Sequence, residues 1–189
     1  MAEKRYILAS RSPRRVELLR SIGIECVVRP ADIDETPLDG EDPLAYVLRL
    51  ADAKANAVGA NEHEIVIGAD TTIDLDGEII GQARDEAHAS EILHRLSGRA
   101  HLVHTGVCVI YGTSGHAATQ VVSSEVTFRP LTDVEIDAYL ATREWEGKAG
   151  AYAIQGLGRG LVAEVLGSIP NVIGLPVDHL ATALATPGA

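Results

Sequence analysis

The segment Ser10-Arg11-Ser12-Pro13-Arg14-Arg15 gathers two hydroxyls and three guanidinium groups around a Ser-Pro pair that predicts a helix start, with Ser12 at the N-cap and Pro13 at the first helical position. The N–H groups of a first helical turn have no intrahelical partner, and the helix dipole adds positive potential there. Arginine offers a planar fork that meets two phosphate oxygens at once. Together these features describe an anion site. The same residues also fit a capped helix whose arginines pair with surface acids, although cations in a first turn oppose the dipole at a cost of roughly a few tenths of a kcal/mol when no anion is present.

The second chemical group is Asp70. The run Glu64-Ile65-Val66-Ile67-Gly68-Ala69 reads as a strand covered on both faces, and it delivers Asp70 at its C-terminal end, followed by Thr71 and Thr72. A carboxylate displayed at a strand end suits Mg²⁺ and phosphate chemistry, because the sheet fixes the ligand while the loop leaves room for substrate. An aspartate that only satisfies turn N–H groups is the alternative. Glu35 lies in the acidic stretch Asp32-Ile33-Asp34-Glu35-Thr36 and, taken alone, reads equally as a solvated surface charge.

The elements that must hold these groups follow from periodicity and punctuation. A short strand, Tyr6 to Ala9, enters the Ser/Arg segment, and a helix runs on to about Ser21 with Val16, Leu18, Leu19 and Ile22 on its apolar face. Ile24 to Arg29 reads as a strand. Asp42-Pro43 caps a second helix with Leu44, Val47, Leu48 and Ala51 on one face, Lys54 in its C-terminal half and Gly59 just beyond its end. After the Asp70 strand, Thr71 to Leu75 alternates, and Asp76-Gly77 signals a type I′ hairpin returning through Glu78-Ile79-Ile80. A helix spans 86–96, two long strands cover 101–111 and 117–128, and Thr132 with Glu135 forms a capping box for a helix over about 133–143. A glycine-rich stretch, a strand from Leu161 to Leu166 and a helix from about Pro176 to Ala185 complete the chain. Alternating strands and helices with one long antiparallel hairpin predict an α/β fold built on a mixed sheet.

The length of 189 residues fits one such domain, spanning 1–189, better than two independent ones. No apolar run approaches the roughly twenty residues that a bilayer demands, and the N-terminus leads into a strand rather than a signal segment, so a cytoplasmic protein without membrane contact is expected. The net charge of −11 argues against nucleic acid as a partner. Residues 1–20 nevertheless hold six cations against two acids, which leaves this stretch at about +4 and the remainder at about −15. A local anion site is therefore compatible with an acidic protein.

Several other chemistries are excluded. No GxxxxGK[ST] is present, and Gly156-Leu157-Gly158-Arg159-Gly160 lacks the strand-to-helix setting of a dinucleotide fingerprint, so its glycines read as a turn. The histidines form no HExxH, and His101 and His104 fall on opposite faces of one strand, so no metal pair is expected there and they read as structural or surface residues. Cys26 and Cys108 lie far apart without ligand spacing and read as core.

The blocks Leu8-Ala9-Ser10 with Ser12-Pro13-Arg14-Arg15, Gly68-Ala69-Asp70-Thr71, Leu96-Ser97-Gly98, Thr105-Gly106-Val107, Lys148 to Gly156 and Gly174-Leu175-Pro176 together resemble the Maf family of nucleotide pyrophosphatases, first described as septum-formation inhibitors. The resemblance runs from residue 7 to about 184. It implies an elongated mixed sheet flanked by helices, with two lobes around a nucleotide cleft, as in inosine triphosphate pyrophosphatases. It also implies hydrolysis of a nucleoside triphosphate to monophosphate and pyrophosphate with a divalent cation (Mg²⁺, Mn²⁺ or Co²⁺), and a possible homodimer. By the same resemblance Ser10, Arg14 and Arg15 bind the triphosphate and Lys54 contacts phosphate. Glu35 and Asp70 form the metal and catalytic carboxylate set, with Asp70 the proton acceptor.

The choice of subfamily rests on Arg14, Thr71 and Gln155: the block Lys148-Ala149-Gly150-Ala151-Tyr152 with Ile154-Gln155-Gly156 is similar to the dTTP/UTP-preferring branch. The Gln155 amide, with donors and an acceptor, suits the O4/N3–H face shared by uracil and thymine. In one place the chain departs from the family: Gly81-Gln82-Ala83 stands where Gly-Lys-Pro is usual, so neutral Gln82 replaces a lysine expected near the phosphates. Reduced turnover is the expectation, and Arg84 is the nearest cation that might replace the charge. A different class of function, a nucleotide-binding regulator of cell division with weakened catalysis, is motivated by that substitution.

Overall fold

The computed structural model describes residues 4–180. Its centre is one seven-stranded sheet in the order β2-β1-β3-β5-β6-β7, with β4 paired to β3 beside that path. The strands are β1 (Arg5–Leu8), β2 (Cys26–Val28), β3 (Glu64–Leu75), β4 (Glu78–Ile80), β5 (Ala100–Tyr111), β6 (His116–Phe128) and β7 (Val162–Leu166). β1 runs parallel to β2 and β3, and every other pairing is antiparallel. The mixed sheet and its long β5–β6 hairpin agree with the sequence. Among the described residues no helix is long and apolar enough to cross a membrane.

The helices are α1 (Pro13–Ser21), α2 (Pro43–Val58), α3 (Glu86–Leu96), α4 (Asp133–Leu140) and the single turn α5 (Ile169–Ile173). Asp42 caps α2 by accepting from Leu44 and Ala45 N–H, and Thr132 and Glu135 close a reciprocal box at α4. The Asp76-Gly77 turn has both φ angles positive, 57° and 85°, as a type I′ hairpin requires. The buried stripe of α2 is Tyr46, Val47, Leu50, Ala51 and Lys54, whereas Leu44 faces solvent. Helix α5 has no counterpart among the predicted elements; of the helix predicted from Pro176 to Ala185, residues 177–180 are helical and those from 181 on lie outside the described residues. Cys108 is fully buried, but Cys26 is only half-buried, on the edge strand.

One expectation is overturned. Asp70 does not end a strand; β3 continues through it for five more residues to Leu75. The apolar run and the alternating run are one strand, because β5 pairs with it continuously from Ile65 to Asp74. The opposite edge of β3 is not continuous. β1 accompanies it as far as Ile67, and β4 joins only at Ile73. Between those points β3 lacks a paired neighbour on that side among the described residues, and Asp70 sits in the middle of the gap.

Helix α2 lies unusually close to the sheet across this region. A Cβ at Gly68 would fall 2.2 Å from the Ala51 carbonyl oxygen, and one at Gly106 2.3 Å from that of Val47. Two glycines on adjacent strands therefore let the helix backbone rest on the sheet backbone. Apolar clusters then fill both ends of the sheet: one around Leu93, Phe128 and Ile136, the other around Leu8, Ile67 and Leu180.

Candidate active site

A cleft of about 660 Å³ opens at the gap in β3. All ten residues singled out in the sequence line it: Ser10, Arg14, Arg15, Glu35, Lys54, Asp70, Thr71, Gln82, Lys148 and Gln155.

The floor is built by β3 and α2. Close seating at Gly68 brings Lys54, one turn after Ala51, over Asp70, two residues after Gly68. Lys54 Nζ donates to Asp70 Oδ1 at 2.7 Å and forms an ion pair with Glu35, 2.9 Å from its Oε1. Burial pushes the Asp70 carboxyl above its ordinary range, while Lys54 and Arg15 pull it back. Glu35 comes from the loop between β2 and α2 and keeps half of its side chain exposed.

One wall is the β1–α1 turn. Ser12 occupies the N-cap with extended backbone, yet its side chain makes no capping bond; its own N–H donates to Ser10 Oγ at 3.2 Å. The first-turn amides thus lack the side-chain acceptor that the sequence suggested. Arg15 is buried beneath them. Its Nε donates to the Gly174 carbonyl at 2.8 Å, and its two terminal nitrogens donate to Ser10 Oγ at 2.9 Å and Thr71 Oγ1 at 3.2 Å. All three acceptors are neutral, and among the described residues Arg15 forms no ion pair. Desolvation holds its guanidinium below the usual value, with Asp70 opposing. A buried cation with no counter-ion is costly, so this wall is complementary to a ligand that brings negative charge. Arg14, half-buried and likewise lowered by desolvation, adds a second cation.

Thr71 lines the cleft, but its hydroxyl is already engaged. Thr71 Oγ1 accepts from Arg15 and lies 2.9 Å from Thr105 Oγ1 and 3.4 Å from the Gly174 carbonyl, and Thr105 Oγ1 donates to the Asn171 carbonyl at 3.0 Å. Thr71 therefore anchors Arg15. Tyr46, whose hydroxyl donates to the Glu35 carbonyl at 3.0 Å, was not expected in the site, and neither was buried Thr105 behind Thr71. Each acts on a backbone carbonyl of another segment, and only the position of Tyr46 eight residues before Lys54, on the same helix stripe, hinted at it.

The far wall is the segment from Glu146 to Gln155. Gln82 pairs with Ala149 in an isolated bridge, and Gly150 N–H donates to the Gly81 carbonyl at 3.0 Å. Lys148 Nζ donates to the Glu146 carbonyl at 2.9 Å; burial and nearby Arg14 both lower its proton affinity. Gly150 and Ala151 take consecutive positive φ values of 67° and 56°. A Cβ at Gly150 would strike Ile73 Cδ1 at 2.0 Å, so only glycine fits this turn. Gln155 stands exposed ahead of a 3₁₀ turn, Gly156–Leu161, which Glu144 holds by accepting from Leu157 and Gly158 N–H. Among the described residues the Gln155 amide has no hydrogen-bond partner. The expected turn at these glycines is thus present.

The two carboxylates suit a hard divalent cation, which takes one or two carboxylates and completes its shell on substrate phosphates. Among the described residues no group of three or more His, Cys, Asp or Glu side chains could enclose a metal by itself.

The Maf-like protein family model matches residues 5–186. A dTTP/UTP pyrophosphatase of Anaeromyxobacter dehalogenans (strain 2CP-C) is 50% identical over 186 residues, covering 97% of this chain and 94% of the relative. A dTTP/UTP pyrophosphatase of Caulobacter vibrioides is 46% identical over 173 residues, covering 90% and 89%. Among solved structures, a HAM1 protein from Coxiella burnetii aligns over 96% of this chain and 98% of its own with a TM-score of 0.50 at 15% identity, a likeness of fold alone.

Proposed function

Because the chain belongs to the Maf-like protein family, we propose that it is a nucleoside triphosphate pyrophosphatase that hydrolyses dTTP and UTP to the monophosphate and pyrophosphate. The observation that carries this reading beyond kinship is Arg15, a buried guanidinium holding three neutral acceptors and no carboxylate. A triphosphate brings roughly four negative charges, which such a wall offsets.

Ser10, Arg14, Arg15 and the first-turn amides of α1 then bind phosphate oxygens, and Lys148 and Gln82 face them from the other wall. Water attacks the α-phosphorus, the bond to the bridging oxygen of the β-phosphate breaks, and pyrophosphate leaves. Asp70 takes the proton of the attacking water, and its burial strengthens it as a base. Lys54 orients Asp70 and Glu35 and adds positive charge. A divalent cation held by these two carboxylates would supply further neutralisation of the phosphates. Gln155, with its amide unengaged, reads the pyrimidine edge.

Pyrophosphate release from a panel of dTTP, UTP, CTP, GTP and dATP with Mg²⁺, Mn²⁺ or Co²⁺ tests the proposal; preference for dTTP and UTP is expected, and equal turnover of the purines contradicts it. Gln155→Ala should raise KM for UTP far more than it shifts the melting temperature. A second reading, a nucleotide-binding regulator with weakened catalysis, is favoured by Gln82, which puts an amide at the cleft lip. Thermal stabilisation by dTTP without turnover would select it. Under the first reading Gln82→Lys raises kcat.

A further inference from the structure

The segment between Val28 and Pro43 contains neither helix nor strand, yet it carries Glu35 into the cleft. An exposed carboxylate on a chain of this length is poorly fixed by its side chain alone. Three contacts from α2 restrain the segment, two of them at its backbone. Tyr46 Oη donates to the Glu35 carbonyl at 3.0 Å, and Arg49 donates to the Thr36 carbonyl at 3.2 Å. Arg49 also grips Glu41 through two nitrogens, at 2.6 Å each, at the far end of the loop. Its guanidinium lies 5.6 Å over the Tyr46 ring, so the two side chains brace each other. Ile33 adds an apolar contact to the cluster of Tyr46, Val47 and Leu50.

The helix giving these contacts is itself seated on the sheet at Gly68 and Gly106. Tyr46, Leu50 and Lys54 follow each other at four-residue intervals on one stripe. The same stripe thus holds the backbone of Glu35 through Tyr46 and its carboxylate through Lys54.

We propose that Tyr46 and Arg49 are positioning residues for the reaction: they clamp Glu35 and Thr36 to α2, so that the Glu35 carboxylate stands beside Asp70 before substrate arrives. The tyrosine hydroxyl remains a donor throughout neutral pH, since burial and the Asp70 and Glu35 charges push it up to about 12. The kinetic part of the inference rests on the pyrophosphatase reading.

Tyr46→Phe removes one oxygen and keeps the ring. The expected result is a kcat for dTTP about tenfold lower, with amide hydrogen exchange at residues 33–36 at least tenfold faster in the nucleotide-free protein and the melting temperature nearly unchanged. Unchanged kcat, or faster exchange without any loss of kcat, overturns the proposal, because the contacts would then serve stability alone. If Tyr46→Phe does not fold, Arg49→Lys, which keeps the charge but loses the two-pronged grip on Glu41 and Thr36, is read by the same two measurements. If the wild-type protein releases no pyrophosphate from any nucleotide, the functional reading fails. The clamp is then decided by exchange together with Mn²⁺ affinity from calorimetry: faster exchange with weaker Mn²⁺ binding supports it, and either one unchanged refutes it.

Discussion

Asp70 and Lys54 meet at 2.7 Å with about nine-tenths of each side chain buried, and the lysine reaches the aspartate only because α2 touches the sheet at two glycines. The paired carboxylate and cation are thus products of backbone packing as much as of side-chain chemistry.

Asp70→Asn preserves shape and removes the base. The expected loss in kcat is about 10²- to 10⁴-fold, the usual contribution of a positioned general base, with nucleotide affinity within a few-fold of wild type. Steady-state kinetics beside equilibrium dTTP binding check this, and a kcat within threefold of wild type would remove Asp70 from the mechanism.

Arg15→Lys tests the wall. One ammonium cannot reach the Gly174 carbonyl, Ser10 and Thr71 together, so stability should drop by about 2 kcal/mol and KM for dTTP should rise more than tenfold. A variant that is destabilised but binds dTTP normally would make Arg15 a structural tie and nothing more.

Gly106→Ala should be strongly damaging, because its carbon would fall 2.3 Å from the Val47 carbonyl oxygen, a backbone atom that cannot step aside cheaply. Lifting α2 displaces Lys54 and Tyr46 together. A cost above about 2 kcal/mol and a parallel loss of activity are expected, whereas Gly160→Ala, with open space around it, should be nearly silent. Urea unfolding of the pair settles the comparison.

His101 is buried against Phe128 and Tyr152, and desolvation lowers its pKa from 6.5 to about 4. A depressed histidine contributes stability that is present above its unfolded pKa and lost as pH falls from about 6.5 toward 4. The loss should be on the order of 2–3 kcal/mol. His101→Phe should flatten that part of the profile; identical slopes for the two proteins between pH 7 and 4.5 would count against it.

Much of the architecture was legible because its signals are local. Asp42-Pro43, Asp76-Gly77 and the Thr132–Glu135 box each declare an element end within four residues, and the structure keeps all three. β3 was read as two pieces because its pattern changes at Asp70, although a strand may change its surroundings without ending. Helix α5 is too short to show a period. In the cleft, charged residues were legible by type, while Tyr46 and, behind Thr71, Thr105 were not, since each is defined by a carbonyl that only the fold brings near. The close approach at Gly68 and Gly106 is a property of two strands and a helix at once, and no single segment encodes it.

The interruption along β3 also acts as a ruler. Six residue steps separate Ile67, the last partner of β1, from Ile73, the first partner of β4. At ~3.3 Å per step the window is ~20 Å long. Because side chains alternate, inserting or deleting one residue there would swap Asp70 onto the face of Thr71 and part it from Lys54. The window can be resized only in steps of two residues, about 7 Å at a time, which makes its length a discrete and conservative property of the chain.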